Sequence, residues 1–402
     1  LDNVIVSELG KISIEDQKIE ICERKGLGHP DYICDAIMDR VSVALSKEYL
    51  RKFSSIAHHN IDKGLLAAGE VERRFGGGVV KSPMLLVFGD RATFQVGREE
   101  IDVERIAIST AKEWFRGNLR FVDPEKHVRY QVELKRGSEA LQDIFSRRGK
   151  FLGANDTSAA VGYAPMSQTE RLVFETERFV NSKDFKSKFP ESGEDVKVMG
   201  FRRNDEVELT VAMAFVDRFV DSEQKYFRSK EEILEEIRSF VKSKLEPKKV
   251  NILLNTLDRK GRGIGGIYLT VLGTSADDAD CGQVGRGNRV NGVIPLNRPT
   301  GSEAAAGKNP VSHVGKIYNI LTHRMANKIY ENVSGLREVY VWLLSQIGQP
   351  INEPKIVSVQ IIPKNNLKMA DAIKEIKELV KAELGNLDVF CRDLAQGKIP
   401  IC

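Results

Sequence analysis

The sequence predicts a mixed α/β protein of two or three domains, and three observations carry that reading. Helical and strand periodicities alternate along most of the chain. Its 402 residues, 41% of them hydrophobic, fill more than one core at roughly 100–200 residues per domain. Neither a fixed repeat of solenoid length nor a low-complexity linker divides it.

Taken in order, the first strong element is KGLGHPDYICDAIMDR, Lys25 to Arg40. Pro30 suits a first helical position, where no N–H is needed. Ile33, Ile37, Val41, Ala44 and Leu45 then keep a helical apolar rhythm. Asp31 and Asp35 fall one turn apart at the positively polarised end, beside His29. MLLVFGDRAT (Met84–Thr93), VELTVAMAFV (Val207 to Val216), IYLTVLGT (Ile267–Thr274) and KIVSVQII (Lys355–Ile362) read as strands. SKEEILEEIRSFVKSKLEP suggests a capping box from Ser229 to Glu232, then a helix stopped by Pro247. MADAIKEIKELVKAELG suggests another helix, with Gly385 as its C′ residue. Long polar stretches fall near 135–158, 181–206 and 273–312, and residues 181–195 are a candidate gating loop. The stretch 273–312 is rich in Gly, Asp and Asn without periodicity, the mark of a functional loop.

Charge and composition exclude several classes. With 61 basic and 57 acidic residues the chain is too balanced for a basic nucleic-acid binder. Aromatics are 7% and form no stacking cluster, which argues against an RNA-binding or nucleotide-sensing protein. Five scattered cysteines (Cys22, Cys34, Cys281, Cys391, Cys402) contain no C-x-x-C pair, favouring a reducing compartment over a disulfide or zinc framework. No apolar run spans a bilayer and LDNVIVSELGK is no signal peptide, so a soluble cytoplasmic protein without membrane partners is expected.

Some motifs tempt and fail. GRGIGG (Gly261 to Gly266) matches the dinucleotide fingerprint by letter, but a strand-like segment follows where a helix is needed. GSEAAAGKN (Gly301 to Asn309) has one residue too many for a Walker loop, and Asn309 replaces the magnesium-binding hydroxyl. It suits a phosphate-binding loop or a plain structural one equally. HHNID (His58 to Asp62) puts adjacent histidines on opposite strand faces, which favours packing over metal ligation. GANDTSAAVGYAP (Gly153 to Pro165) alone is a turn, whereas DDADCGQVGRGNR (Asp277 to Arg289) crowds three carboxylates, three glycines and two arginines together.

Together ERKGLGHPD, HHNIDK, GANDTSAAVGYAP, GEDVKVMG, DCGQVGRGNR and EAAAGKNPVSHVGK resemble, in order and through nearly the whole chain, the S-adenosylmethionine synthetase (methionine adenosyltransferase) family, specifically its archaeal-type branch. The resemblance implies an α/β (α+β) fold of three similar βαβ-containing domains with pseudo-threefold symmetry. Their approximate ranges are 1–135, 136–249 and 250–402, interleaved in sequence. It implies a homodimer with active sites at the subunit interface, Mg²⁺ and K⁺ as cofactors, and ATP and L-methionine as substrates. The methionine sulfur attacks ribose C5′, and the bound triphosphate is then hydrolysed to pyrophosphate and phosphate. Residue by residue, His29, Lys197, Arg286 and Lys308 match catalytic or phosphate-contacting positions, and Asp31 matches a magnesium ligand. Gly137, Ser138, Glu139, Ala140, Leu141, Gln142 and Asp280 match ATP-binding positions, and Glu70 and Asp156 match the methionine end. Asp35 matches no role and reads as a solvated or structural carboxylate.

Departures from bacterial and eukaryotic relatives are local. Ser312, His313 and Val314 stand where a second lysine and an aspartate are expected, and Gly287 replaces a lysine after Arg286. His313, Lys316 or Arg289 are the candidates to cover those phosphates. The expected K⁺-binding glutamate maps near His58–Asn60. The rival enzymatic reading is a Mg-ATP-dependent phosphotransferase of another family, which would release ADP.

Overall fold

The computed structural model describes residues 3–137, 145, 151–244, 249–364 and 367–401. Strands β1 (Val4–Glu8) and β2 (Ile19–Lys25) precede helix α1 (Pro30–Phe53). Short strands follow: β3 (His59–Asn60), β4 (Leu65–Ala67), β5 (Glu70–Glu72) and β6 (Val79–Ser82). Next come β7 (Met84–Ala92), β8 (Gln95–Val96), β9 (Glu99–Glu100), α2 (Val103–Asn118) and β10 (Val128–Arg136). The middle of the chain supplies β11 (Ala159–Ala164), α3 (Gln168–Val180), α4 (Lys183–Lys188), β12 (Ser192–Arg203), β13 (Glu206–Val216), α5 (Glu223–Lys244) and β14 (Lys249–Leu254). The last third adds β15 (Leu269–Thr270), β16 (Gly282–Gln283), β17 (Ile294–Pro295), α6 (Val314–Asn332), β18 (Leu336–Leu344), β19 (Ile356–Pro363), α7 (Met369–Gly385) and α8 (Leu387–Ala395).

Three main sheets organise these elements. Their orders are β1-β19-β18-β11, then β10-β7-β4-β16 with β3 on β7, then β14-β13-β12-β2-β17 with β15 on β13. Each sheet draws on distant parts of the chain. Val4 pairs with Val357, Gly282 with Leu66, and Ile294 with Glu23. Each also carries a long helix: α6 against β11 and β18, α1 against β4 and β16, and α3 against β2 and β12. The alternation read in VELTVAMAFV holds, with Val207, Leu209, Val211 and Met213 buried on β13.

Several local expectations are corrected. The helix expected to start at Ser229 begins six residues earlier, and its cap is Ser222, whose hydroxyl accepts the Lys225 N–H at 3.2 Å. Ser229 lies buried inside the helix because the apolar face continues back through Tyr226. Gly385 is the last residue of α7 rather than its C′ residue; Asn386 caps the helix and α8 follows at once. The strand expected over Ile267–Thr274 shortens to β15, since the Asp277 carboxylate takes the Val271 and Leu272 amides at 2.7 and 2.9 Å. The proposed gating loop 181–195 contains α4 and the start of β12, with Phe185 and Phe189 buried.

Buried arginines are held by carboxylates, Arg24 and Arg202 within the β2–β12 sheet and its helix α3, and Arg298 between α3 and β18. Arg24 pairs with Glu177 at 2.5 Å and Arg202 with Glu20 at 3.0 Å. Arg298 meets Glu170 at 3.0 Å, the Tyr340 hydroxyl at 2.9 Å and Glu338 at 3.4 Å. Removing one partner of such a pair strands the others in a low dielectric. Arg298→Met is therefore expected to cost about 3–5 kcal/mol. Thermal unfolding of the variant checks this, and an unchanged midpoint would show that the network does not hold α3 to β18.

Candidate active site

The site starts where β2 runs into α1. On adjacent antiparallel strands Lys25 stands directly opposite Lys197. The chain then turns through Gly26 and Gly28, whose amides donate to the carbonyls of Val196 (2.6 Å) and Glu194 (2.9 Å). A side chain at Gly28 would overlap the backbone of Glu194 and Asp195, so glycine is required there. His29 is the N-cap of α1, its Nδ1 accepting the Asp31 N–H at 3.2 Å, and Pro30 takes the first helical position as read from sequence.

Burial brings the His29 imidazole down to about 4; the pull of Asp31 opposes this, and Lys25 and Lys197 add to it. The ring is therefore neutral near pH 7. Because Nδ1 is an acceptor, the proton sits on Nε2, which makes His29 a hydrogen-bond donor at a helix N-terminus.

The Asp31 carboxylate receives the Lys25 ammonium at 2.9 Å and the Gln283 N–H at 2.9 Å. Lys25 also donates to the Arg286 carbonyl at 2.6 Å. Asp35, one turn on, accepts the amides of Gly285 (2.8 Å) and Gly287 (3.2 Å), and burial raises its carboxyl to about 7. The solvated alternative for Asp35 is thus excluded.

Two adjoining cavities share His29, Lys197 and Asp280. The smaller, about 370 Å³, is walled by Glu23, Lys25, Asp31, Gln283 and Arg286 as well. Three cations and a helix N-terminus there suit a polyanion, and the carboxylates among them suit an accompanying hard cation. The larger, about 1080 Å³, runs past Asp195 and Tyr268 to the loop Asn255–Lys260. Its wall mixes Tyr268, apolar residues such as Val211 and Ile267, and charged ones, a lining that suits a ring with attached polar groups. Asp195, buried at the cavity wall, holds the Ser275 amide at 2.8 Å and so fixes the turn that carries Asp280.

The structure therefore brings together His29, Asp31, Lys197, Asp280 and Arg286. It does not bring Lys308 to them. The Lys308 ammonium is buried between Asp62 (2.6 Å) and Glu303 (3.1 Å). Around it stand His313, which caps α6 as His29 caps α1, and Lys316, paired with Asp39 at 2.6 Å. Asp156 lies on that same side: the neighbouring Asn155 amide reaches the Ser312 carbonyl at 3.2 Å. Glu70 is exposed on β5 and lines neither cavity. Gly137 packs against the His58 ring, and Ser138, Glu139, Ala140, Leu141 and Gln142 lie outside the described residues.

Lys25, Asp195 and Tyr268 line the cavities and were not singled out from sequence. A signal existed for two of them. Lys25 lies inside the quoted ERKGLGHPD, and Asp195 stands two residues from Lys197 in GEDVKVMG, the spacing of one strand face.

Comparison with known proteins bears on what this cleft is for. The S-adenosylmethionine synthetase (AdoMet synthetase) family model matches residues 2–398. The S-adenosylmethionine synthase of Methanothermobacter thermautotrophicus is 44% identical over 99% of both chains, and that of Pyrococcus furiosus is 44% identical over 99% of both. A solved structure described as an unusual S-adenosylmethionine synthetase from Campylobacter jejuni shares the fold, with a TM-score of 0.60, 16% identity and 94% of each chain covered.

Two lysines facing each other across a ladder repel unless an anion lies between them. Lys197→Met should therefore leave the unliganded thermal midpoint unchanged or raised. It should also weaken binding of inorganic tripolyphosphate by about tenfold or more, about 1.4 kcal/mol. Isothermal titration calorimetry reads the second effect; parental affinity in the variant would mean that this pair does not form the anion site.

Proposed function

The chain belongs to the S-adenosylmethionine synthetase family, and we propose that it forms S-adenosyl-L-methionine from ATP and L-methionine in the cleft where His29, Asp31, Lys197, Asp280 and Arg286 meet. It is a methionine adenosyltransferase, and a phosphotransferase of another family is not favoured. The observation that carries the placement is the pair of joined cavities: a smaller one that sets Lys25, Lys197 and Arg286 beside three carboxylates at a helix N-terminus, and a wider one bordered by Tyr268.

In this reading the triphosphate occupies the smaller cavity. When the sulfur attacks C5′, charge grows on the departing oxygen. The Nε2–H of His29 donates to it, and Lys25, Lys197 and Arg286 offset the charge from positions fixed in advance. Neutral His29 stabilises the leaving group by hydrogen bonding, without giving up its proton. The carboxylate of Asp280, common to both cavities, faces the sulfonium that forms as the C5′–S bond closes. Water then cleaves the retained triphosphate to pyrophosphate and phosphate, with Arg286 able to fork onto two phosphate oxygens.

Asp31 is the residue to hold Mg²⁺, with Glu23 and Asp280 as further oxygen donors along the same wall. No group of three or more His, Cys, Asp or Glu among the described residues converges to hold a metal alone. When bound, such an ion would take most of its oxygen ligands from the substrate phosphates and neutralise their charge. Residues 58–60, where the family's K⁺-binding glutamate maps, hold no glutamate, and the Asp62 carboxylate beside them is paired with Lys63 (2.7 Å) and Lys308 (2.6 Å).

A homodimer is part of this reading. Lys308 and Asp156 lie apart from the cleft within one chain, so a second copy would have to bring them to it. A cytoplasmic setting accords with free thiols at Cys22, Cys34, Cys281 and Cys391. No described helix is long and apolar enough to cross a membrane.

The test is direct. Purified protein given ATP, methionine, Mg²⁺ and K⁺ should yield a methionine-dependent sulfonium with phosphate and pyrophosphate; ADP in their place would overturn the assignment. His29→Ala should lower kcat by about 10²–10⁴-fold with little change in methionine binding. A variant with parental kcat would reduce His29 to a helix cap.

A further inference from the structure

Arg286 is an exposed side chain on a largely buried loop, and its guanidinium forms no ion pair among the described residues. Where such a group reaches is decided by how its own backbone is held. Besides the local turn from the Arg286 N–H to the Gln283 carbonyl (3.3 Å) and the Asn288 side chain bonded to the Lys25 backbone, two side chains hold it and its neighbours. Lys25 takes the Arg286 carbonyl at 2.6 Å, but Lys25 belongs to the anion-binding wall itself. The other anchor is Asp35, which lines neither substrate cavity. Its Oδ1 accepts the Gly285 N–H at 2.8 Å and its Oδ2 the Gly287 N–H at 3.2 Å, so both neighbours of Arg286 hang from one carboxylate.

The glycines follow from this clamp. Gly285 has φ +86°, a conformation that favours glycine, and a side chain at Gly287 would collide with the Asp35 carboxylate. Behind the loop lies a crevice lined by Asp35, Asn288, Arg289, Asn291 and Glu303. Beside this crevice the loop is held by hydrogen bonds to α1 and by the Asn288 side chain on the Lys25 backbone. Asp35 itself is 4% exposed on the second turn of a long helix, a rigid base.

We propose that Asp35 is a positioning residue for the reaction: by clamping the amides on both sides of Arg286 it aims the guanidinium at the polyphosphate. The proposal rests on the reading that Arg286 contacts the polyphosphate, and it can fail separately from that reading.

The test is a double-mutant cycle with inorganic tripolyphosphate as the probe. Its affinity is read by calorimetry and its hydrolysis by phosphate release. Asp35→Asn keeps shape but offers one carbonyl oxygen to two amides and turns a second donor toward them. Asp35→Ala removes both acceptors. Losses of about tenfold for Asp35→Asn, and more for Asp35→Ala, are expected, the usual range for groups that orient a contacting residue. In an Arg286→Leu background neither substitution should cost more than about twofold, because the group being aimed is gone. An equal loss in both backgrounds would overturn the proposal, as would Asp35→Asn with parental affinity and hydrolysis. If Arg286→Leu alone binds and hydrolyses tripolyphosphate normally, it is the role of Arg286 that fails. Thermal midpoints measured alongside identify any variant that loses its fold. Should Asp35→Ala do so, the isosteric Asp35→Asn carries the decision.

Discussion

The acidic face of α1 is the constraint on which the rest of the site depends. Asp31, Asp35 and Asp39 recur every four residues, so they line one side of the helix over about 12 Å at 1.5 Å per residue. Each holds a different piece of the last third of the chain. Asp31 takes the Gln283 amide, Asp35 those of Gly285 and Gly287, and Asp39 the Lys316 ammonium. The stretch 273–312 has little secondary structure of its own, only short strands and single turns. Its shape is imposed from outside, by a helix more than two hundred residues earlier. Burying carboxylates is costly unless their lone pairs are used, and here amides and ammonium groups use them.

Three cations and three carboxylates line the smaller cavity, but of the cations only Lys25 is ion-paired to any of them. Lys25 and Lys197 face each other across a ladder, with Asp31 answering only the first of them directly. Arg286 stands exposed at the rim. A neutral His29 adds a donor without adding charge, because its ring is buried and its Nδ1 is already engaged. A polyanion with a hard cation completes this balance, whereas a neutral ligand would leave the lysines opposed.

Much of this was legible in sequence, for identifiable reasons. The start of α1 was readable because Pro30 and the apolar rhythm after it are local signals, and β13 because its alternation runs from Val207 to Met213. The α5 start was missed because a plausible cap, Ser229, sat inside a helix whose apolar face began earlier at Tyr226. The segment 181–195 looked loop-like from its charges, yet Phe185 and Phe189 bury and carry α4 with them. Sheet membership was not readable at all. The pairing of Val4 with Val357, or of Ile294 with Glu23, depends on contacts between distant parts of the chain that no local pattern encodes. The role of Asp35 was hidden for the same reason, since its partners lie 250 and 252 residues away.

The same helix-capping device occurs twice, and the difference between its two uses is informative. His29 and His313 each start a long helix and each accept the N–H two residues on through Nδ1. After His29 come Pro30 and Asp31, and the N-terminus opens on a cavity shared with Lys197 and Asp280. After His313 come Val314, Gly315 and Lys316, and the surrounding cations are each 2% exposed and already paired, Lys308 with Asp62 and Glu303, Lys316 with Asp39. Cations near a helix N-terminus are disfavoured by its dipole, so these carboxylates are needed simply to keep the second site folded. Within one chain the charges of Lys308 and Lys316 are therefore committed to structure, while those of Lys25, Lys197 and Arg286 border open space. Two equivalent helix starts have diverged through their neighbours: one is closed by ion pairs, and the other is left able to receive an anion.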